Sequence, residues 1–220
     1  TPEQYEQEFE CSFTAAVSGA YYGRLITKAE KEKRITKVPY DESVGVETWW
    51  DLGIGDSTSI WFAQRIGEEI HLIDYYETSG ESLAHYANVL EEKDYAYSSH
   101  IAPHDITARE LGTGKSRLEV ANELGIDFDV APKLEVHHGI ESVRNTLPNC
   151  WFDREKCKVG LDALRQYRKQ WDEKNQVFKN KPHHNWCSHA ADSFRYGCVS
   201  EPIDTSDWDR PITVDTKYVI

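Results

Sequence analysis

The sequence has no methionine at all, position 1 included, so it is expected to begin inside a longer polypeptide. No run approaches the roughly 18–20 apolar residues that cross a bilayer, which excludes a transmembrane helix. The N-terminus, Thr1-Pro2-Glu3-Gln4-Tyr5-Glu6, lacks the basic start and apolar run of a secretory signal. None of the five cysteines (Cys11, Cys150, Cys157, Cys187, Cys198) stands at C-x-x-C spacing. That argues against a zinc ribbon and for reduced, buried thiols in a cytoplasmic protein. Internal repeats and low-complexity blocks are missing too. Positive charge is scarce: 25 Lys and Arg face 38 Asp and Glu, for a formal net of −13. This balance argues against a protein that holds nucleic acid by its whole surface. It leaves open a local basic strip or an acidic metal site.

What is present describes an α/β domain. Aromatics are plentiful, with seven Trp, twelve Tyr and seven Phe among 220 residues, enough to build a core without a disulfide scaffold. Residues 8–13 alternate like a short strand. Residues 46–53, Val-Glu-Thr-Trp-Trp-Asp-Leu-Gly, read as a strand of β-branched and aromatic residues closed by a carboxylate and a glycine. Residues 57–64 and 70–76 read as two more strands. The links between these three are too short for parallel crossovers, so they form an antiparallel meander. A helix opens at residues 79–82 and runs through Leu83, Tyr86, Ala87 and Leu90. Further strands fall near 99–103 and 127–130, and further helices over 115–124, 140–147, 153–170 and 188–199. Residues 171–182 read as a hairpin. The order predicts a mixed sheet of about five or more strands, an antiparallel meander followed by parallel additions, with helices on both faces.

Chemistry concentrates in few places. Glu110-Leu111-Gly112-Thr113-Gly114-Lys115-Ser116 imitates a phosphate-binding loop, but Arg109 stands where the first glycine is needed, so it reads as a turn before a helix. Three aspartates are better placed. Asp51 closes the first strand of the meander, Asp105 closes the fourth strand, and Asp192 lies in the final helix beside small Ala190 and Ala191, which let that helix approach a sheet. Carboxylates converging at strand ends repel one another unless a divalent cation sits among them, and two such ions can hydrolyse a phosphodiester. His189, three residues before Asp192, shares its helix face and is a candidate auxiliary proton carrier. His183 and His184 extend the cluster without zinc spacing. His137 and His138 are expected to point apart, and Glu141 is a weaker candidate carboxylate.

The ordered set resembles a known family. Trp49-Trp50-Asp51-Leu52-Gly53, Pro103-His104-Asp105, the segment from Arg109 to Ser116, and Ser188-His189-Ala190-Ala191-Asp192-Ser193-Phe194-Arg195-Tyr196 resemble the nuclease domain of tailed-bacteriophage terminase large subunits. The resemblance runs from about residue 5 to residue 198. It implies a ribonuclease H-like fold and a metal-dependent endonuclease that cuts concatemeric viral DNA during packaging. Asp51, Asp105 and Asp192 would then be both catalytic and metal-holding, with Mg²⁺ or Mn²⁺, two ions, as cofactor. Implied partners are double-stranded DNA, the terminase small subunit, the portal protein and an ATPase domain of the same full-length chain; the implied location is the host cell cytoplasm. Residues 44–200 would be the nuclease core, 1–43 a segment continuing from the ATPase domain and packing on it, and 201–220 an acidic tail.

Two basic strips are the expected DNA contacts. Residues 24–37 carry six Lys and Arg against two Glu, with Arg24 and Lys28 foremost. Residues 154–169, read as part of one long helix, contribute Arg165 and Arg168. Lys179 and Lys181 of the hairpin would flank the groove. The competing readings are another ribonuclease H-like nuclease, such as a junction resolvase, and a module that docks on portal or DNA without cutting. A carboxylate glycosidase has no sequence marker here.

Overall fold

Trp49 and Trp50, adjacent in a strand, point to opposite faces of the sheet, and both are fully buried. A sheet with core on both faces must be covered by helices on both. The computed structural model, which describes residues 19–53, 56–109, 111–112 and 114–200, has that arrangement. The chain runs α1 (Gly23–Lys31), β1 (Ile35–Thr36), β2 (Val46–Asp51), β3 (Ser57–Ile66), β4 (Glu69–Ser79), α2 (Leu83–Lys93) and β5 (Tyr97–Ala102). A 3-10 turn (His104–Thr107) follows, then α3 (Arg117–Glu123), β6 (Phe128–Val130), α4 (Val136–Thr146), a second 3-10 turn (Leu147–Asn149) and β7 (Cys150–Asp153). Last come α5 (Lys158–Gln166), the hairpin strands β8 (Lys169–Asp172) and β9 (Val177–Pro182), and α6 (Cys187–Val199).

The main sheet has seven strands in the order β1-β7-β4-β3-β2-β5-β6, and β8-β9 form a separate pair. β2, β3 and β4 make the expected antiparallel meander. β5 and β6 add in parallel beyond β2; β7 and β1 add in parallel beyond β4. One face carries Trp49, Trp61, Phe152 and Phe194 with α1, α4, α5 and α6. The other carries Trp50, Ile60, Phe62 and Ile73 with Tyr86 and Leu90 of α2. On the first face α6 comes unusually close. Trp61 Nε1 donates to the Ala190 carbonyl at 2.9 Å, and a methyl group on Gly197 would fall inside the Trp49 indole. The small residues around Asp192 therefore do let this helix lie on the sheet.

Four local expectations need correction. The helix expected over 153–170 is cut short at both ends: Asp153 closes β7, which pairs with both β4 and β1, and Lys169 opens β8. Burying Cys150 and Phe152 between two strands holds Asp153 in the sheet. Asp153 then turns the chain by accepting from the backbone N–H groups of Val38, Glu155 and Lys156. The helix is confined to Lys158–Gln166, and Val159, expected on its apolar face, is 54% exposed. The helix expected to open over 79–82 does start there, with Ser82 as N-cap and Leu83 as its first residue, but Ser79 itself still belongs to β4. His137 and His138 do not point apart; their ring centroids are 3.9 Å apart. The residue 8–13 strand, Cys11 and the acidic tail lie outside the described residues. Cys150, Cys157, Cys187 and Cys198 are free thiols, as their spacing suggests. No described helix is long and apolar enough to cross a membrane.

Candidate active site

Asp51 ends β2 because the chain must turn immediately after it. Thr58 Oγ1 clasps Gly53, accepting from its N–H and donating to its carbonyl, each at 3.2 Å. A Cβ on Gly53 would come within 2.7 Å of the Ser57 carbonyl oxygen. Register then does the rest. Asp51 pairs with Ser59 on β3, and Ser59 pairs with Glu77 on β4, so the three residues form one row on one face. That face is the one covered by α6: Ser59 Oγ donates to Ser193 Oγ at 2.8 Å.

His189, on the first turn of α6, meets Asp51 with 3.2 Å between Nδ1 and Oδ2. This contact and the charge of Asp51 raise the imidazole above its ordinary pKa against the opposing effect of burial, and Glu77 and Asp56 add to the rise. Asp192 lies one turn along. Its carboxyl is pushed up by burial; Arg195, donating to Oδ1 at 2.8 Å, opposes this, and the negative charge of Asp51 adds to it. The two aspartates are thus close enough to repel.

Asp105 joins them less directly. β5 runs parallel to β2 with Ile101 level with Trp49, so the 3-10 turn carrying Asp105 lies beyond the same strand end as Asp51. Its side chain is 59% exposed and faces Arg117 at 3.6 Å, while the other guanidinium nitrogen of Arg117 donates to the Leu52 carbonyl at 3.0 Å. Arg117 therefore ties the exit of β2 to the turn holding Asp105. The Tyr196 phenol, raised chiefly by burial, also feels the negative charges of Asp192, Asp51 and Asp105.

The donor set, carboxylate oxygens in mutual repulsion, fits a hard divalent cation. Among the described residues, however, no three His, Cys, Asp or Glu side chains stand close enough together to hold one ion.

The expected DNA contacts divide. Arg168, Lys179 and Lys181 are exposed at the hairpin. Arg24 and Lys28 are exposed on α1, where Lys28 faces Glu32 at 3.7 Å. Arg165 instead bridges helices, facing Glu30 at 3.2 Å and Asp162 at 3.3 Å. Arg34 and Arg154 are also engaged in the fold. Arg34 donates to the Leu147 and Cys150 carbonyls, and Arg154 to that of Ile35, holding β1 against β7. Glu141 pairs with Arg144 at 2.6 Å. Sequence reasoning missed Glu77, Arg117 and Arg195. Only Arg195 had a local signal, its three-residue spacing from Asp192 on one helix face.

An antiparallel meander extended by parallel strands, covered on both faces, with carboxylates at the end of its first long strand, defines a ribonuclease H-like α/β fold. Solved structures share it. The large terminase of thermophilic bacteriophage D6E superposes with a TM-score of 0.59 at 17% identity, over 74% of this chain and 41% of that one. The P22 large terminase nuclease domain does so at 0.59 and 16% identity, over 76% and 88%. The nuclease domain of the bacteriophage SPP1 large terminase, solved with bound Mn, gives 0.51 and 18% identity, over 69% and 84%. The chain thus spans about two fifths of the D6E protein and most of each isolated nuclease domain. By sequence, no family model and no curated protein matches.

Proposed function

We propose that this chain is the nuclease domain of a tailed-bacteriophage large terminase, a metal-dependent endonuclease that cuts concatemeric viral DNA during packaging. The observation that carries the reading is the contact of Asp51 with His189, one turn before Asp192 on α6, in a fold shared with terminase nuclease domains. Asp51, Asp192 and Asp105 are the residues that would hold Mg²⁺ or Mn²⁺, two ions in the full reading. Bound there, such ions would supply an activated water and charge stabilisation for the leaving oxygen. Asp51 orients His189 through Nδ1, leaving Nε2 to take up or give a proton near the scissile phosphate. Arg195 holds Asp192, and Arg117 holds Asp105 beside the exit of β2. Double-stranded DNA is the proposed substrate. The small subunit, the portal and an ATPase domain of the same chain are the proposed partners. Residues 44–200 are the proposed core, with 1–43 leading from the ATPase domain.

The test is nicking of supercoiled plasmid with Mn²⁺ or Mg²⁺. Asp51→Asn, Asp105→Asn and Asp192→Asn should each reduce it to background, and undiminished cutting by all three sinks the assignment. One observation favours a second reading. Asp105 faces Arg117 rather than Asp51, as it would in a module that docks without cutting. Calorimetric metal titration separates the two: a cutting site binds divalent ions and loses them in Asp51→Asn.

A further inference from the structure

Beside α6, the β8-β9 hairpin presents chemistry that cutting does not use. Trp171 and Phe178 are cross-strand partners, 42% and 38% exposed, with ring centroids 4.7 Å apart at 67°. Apolar rings on a two-stranded ribbon are costly to leave in water, yet here they are held in place. Gly19 backs the Phe178 ring so closely that a Cβ would come within 2.6 Å of it. Lys169 N–H donates to the Gly19 carbonyl and His183 N–H to that of Arg168, both at 2.9 Å. The rings line a cleft of about 450 Å³ with Arg168, Lys169 and His183, within the roughly 300–1,000 Å³ of small-ligand sites.

Charge selects the occupant. Residues 168–181 hold five Lys and Arg against Asp172 and Glu173, in a chain of net −13. Glu173 lines the cleft, and Asp172 is taken up by Lys179 at 3.7 Å and by the turn's backbone N–H groups. Aromatic faces flanked by Arg168 and Lys169 fit a group with a π-face and a phosphate. That is an unpaired nucleotide, since a base inside a duplex has no free face. The cleft also adjoins the candidate active site. His183 lines it, and the ring of its neighbour His184 lies 6.0 Å from that of His189, which meets Asp51.

We propose that this cleft binds an unpaired nucleotide of a DNA strand, stacking its base on Trp171 while Arg168 and Lys169 contact the adjoining phosphates. The proposal rests on the nuclease reading and adds that the enzyme grips locally single-stranded DNA next to the point of cleavage.

The experiment is fluorescence anisotropy of the intact chain in EDTA with four probes: oligothymidylate, the same strand with abasic sites, a matched duplex and oligouridylate. The unaltered chain should prefer oligothymidylate to the abasic strand. Trp171→Ala should weaken oligothymidylate binding about tenfold and leave abasic binding unchanged, with Trp171→Phe restoring most of the loss. Equal binding of the normal and abasic strands by the unaltered chain overturns the proposal, whatever the variants do. So does tighter binding of the duplex or of oligouridylate. Loss of nicking in the aspartate variants with no stacking preference leaves the nuclease reading standing and removes the cleft. A stacking preference with undiminished nicking in those variants removes the nuclease reading alone.

Discussion

At the scale of single residues, the active-site region and the core solve opposite histidine problems. His189 is held above its ordinary pKa by Asp51, so replacing Asp51 with Asn should lower the His189 titration midpoint, read by NMR without metal. His100 is the reverse case: burial pushes it down to about 4. The hydrogen bonds explain why it stays neutral. Trp50 Nε1 donates to Thr48 Oγ1, which leaves the threonine hydroxyl to donate to His100 Nδ1, both at 2.6 Å. In the unfolded chain this histidine protonates near 6.5, so the unfolded state binds more protons between that value and about 4. Stability must therefore fall as pH drops through this window. The expected loss between pH 7 and pH 5 is about 2 kcal/mol. It is measured as the difference in urea-unfolding free energy between the parent and His100→Gln, because His189, being shifted upward, acts in the opposite direction.

At the scale of elements, two helices depend on glycine where propensity alone would favour alanine. Gly197 on α6 faces Trp49, and Gly160 on α5 faces Trp61. Exposed helical Gly→Ala normally gains up to about 1 kcal/mol, but here the added methyl meets a fully buried indole. Gly197→Ala should instead cost about 3 kcal/mol and disturb nicking, since α6 carries His189 and Asp192. Thermal melting checks the first effect and the plasmid assay the second. The helix expected over 153–170 teaches a related lesson. Leu161 and Leu164 are buried on it, yet its first residue, Asp153, ends a strand, because β4 and β1 offered two edges that a helix could not pair. The meander, by contrast, was legible from its short links alone.

At the scale of the whole molecule, the charge balance acquires a direction. A chain of net −13 repels DNA except where cations gather, and exposed cations gather on and after α1 and at the hairpin beside the site. Duplex binding should therefore weaken steeply with salt, and replacing Lys179 and Lys181 together with Ala should flatten the log–log slope by about 2. Arg165→Ala should leave that slope unchanged and cost about 1 kcal/mol of stability, because Arg165 serves Glu30 and Asp162. Affinity measured across a salt series, beside urea unfolding, distinguishes the two kinds of cation.

Strand alternation, turn residues and the ordered aspartates determined the α/β class, the meander and the candidate carboxylates Asp51, Asp105 and Asp192. These are local patterns, written in neighbouring residues. Only the tertiary structure brought Glu77 into the Asp51 row, gave Arg117 its bridge from Leu52 to Asp105, and turned Arg34, Arg154 and Arg165 from expected DNA contacts into ties within the fold. The physical reason is that register and ion pairing join residues far apart in the chain. Their energy depends on which strand edges and which buried carbonyls finally meet, and no local spacing records that.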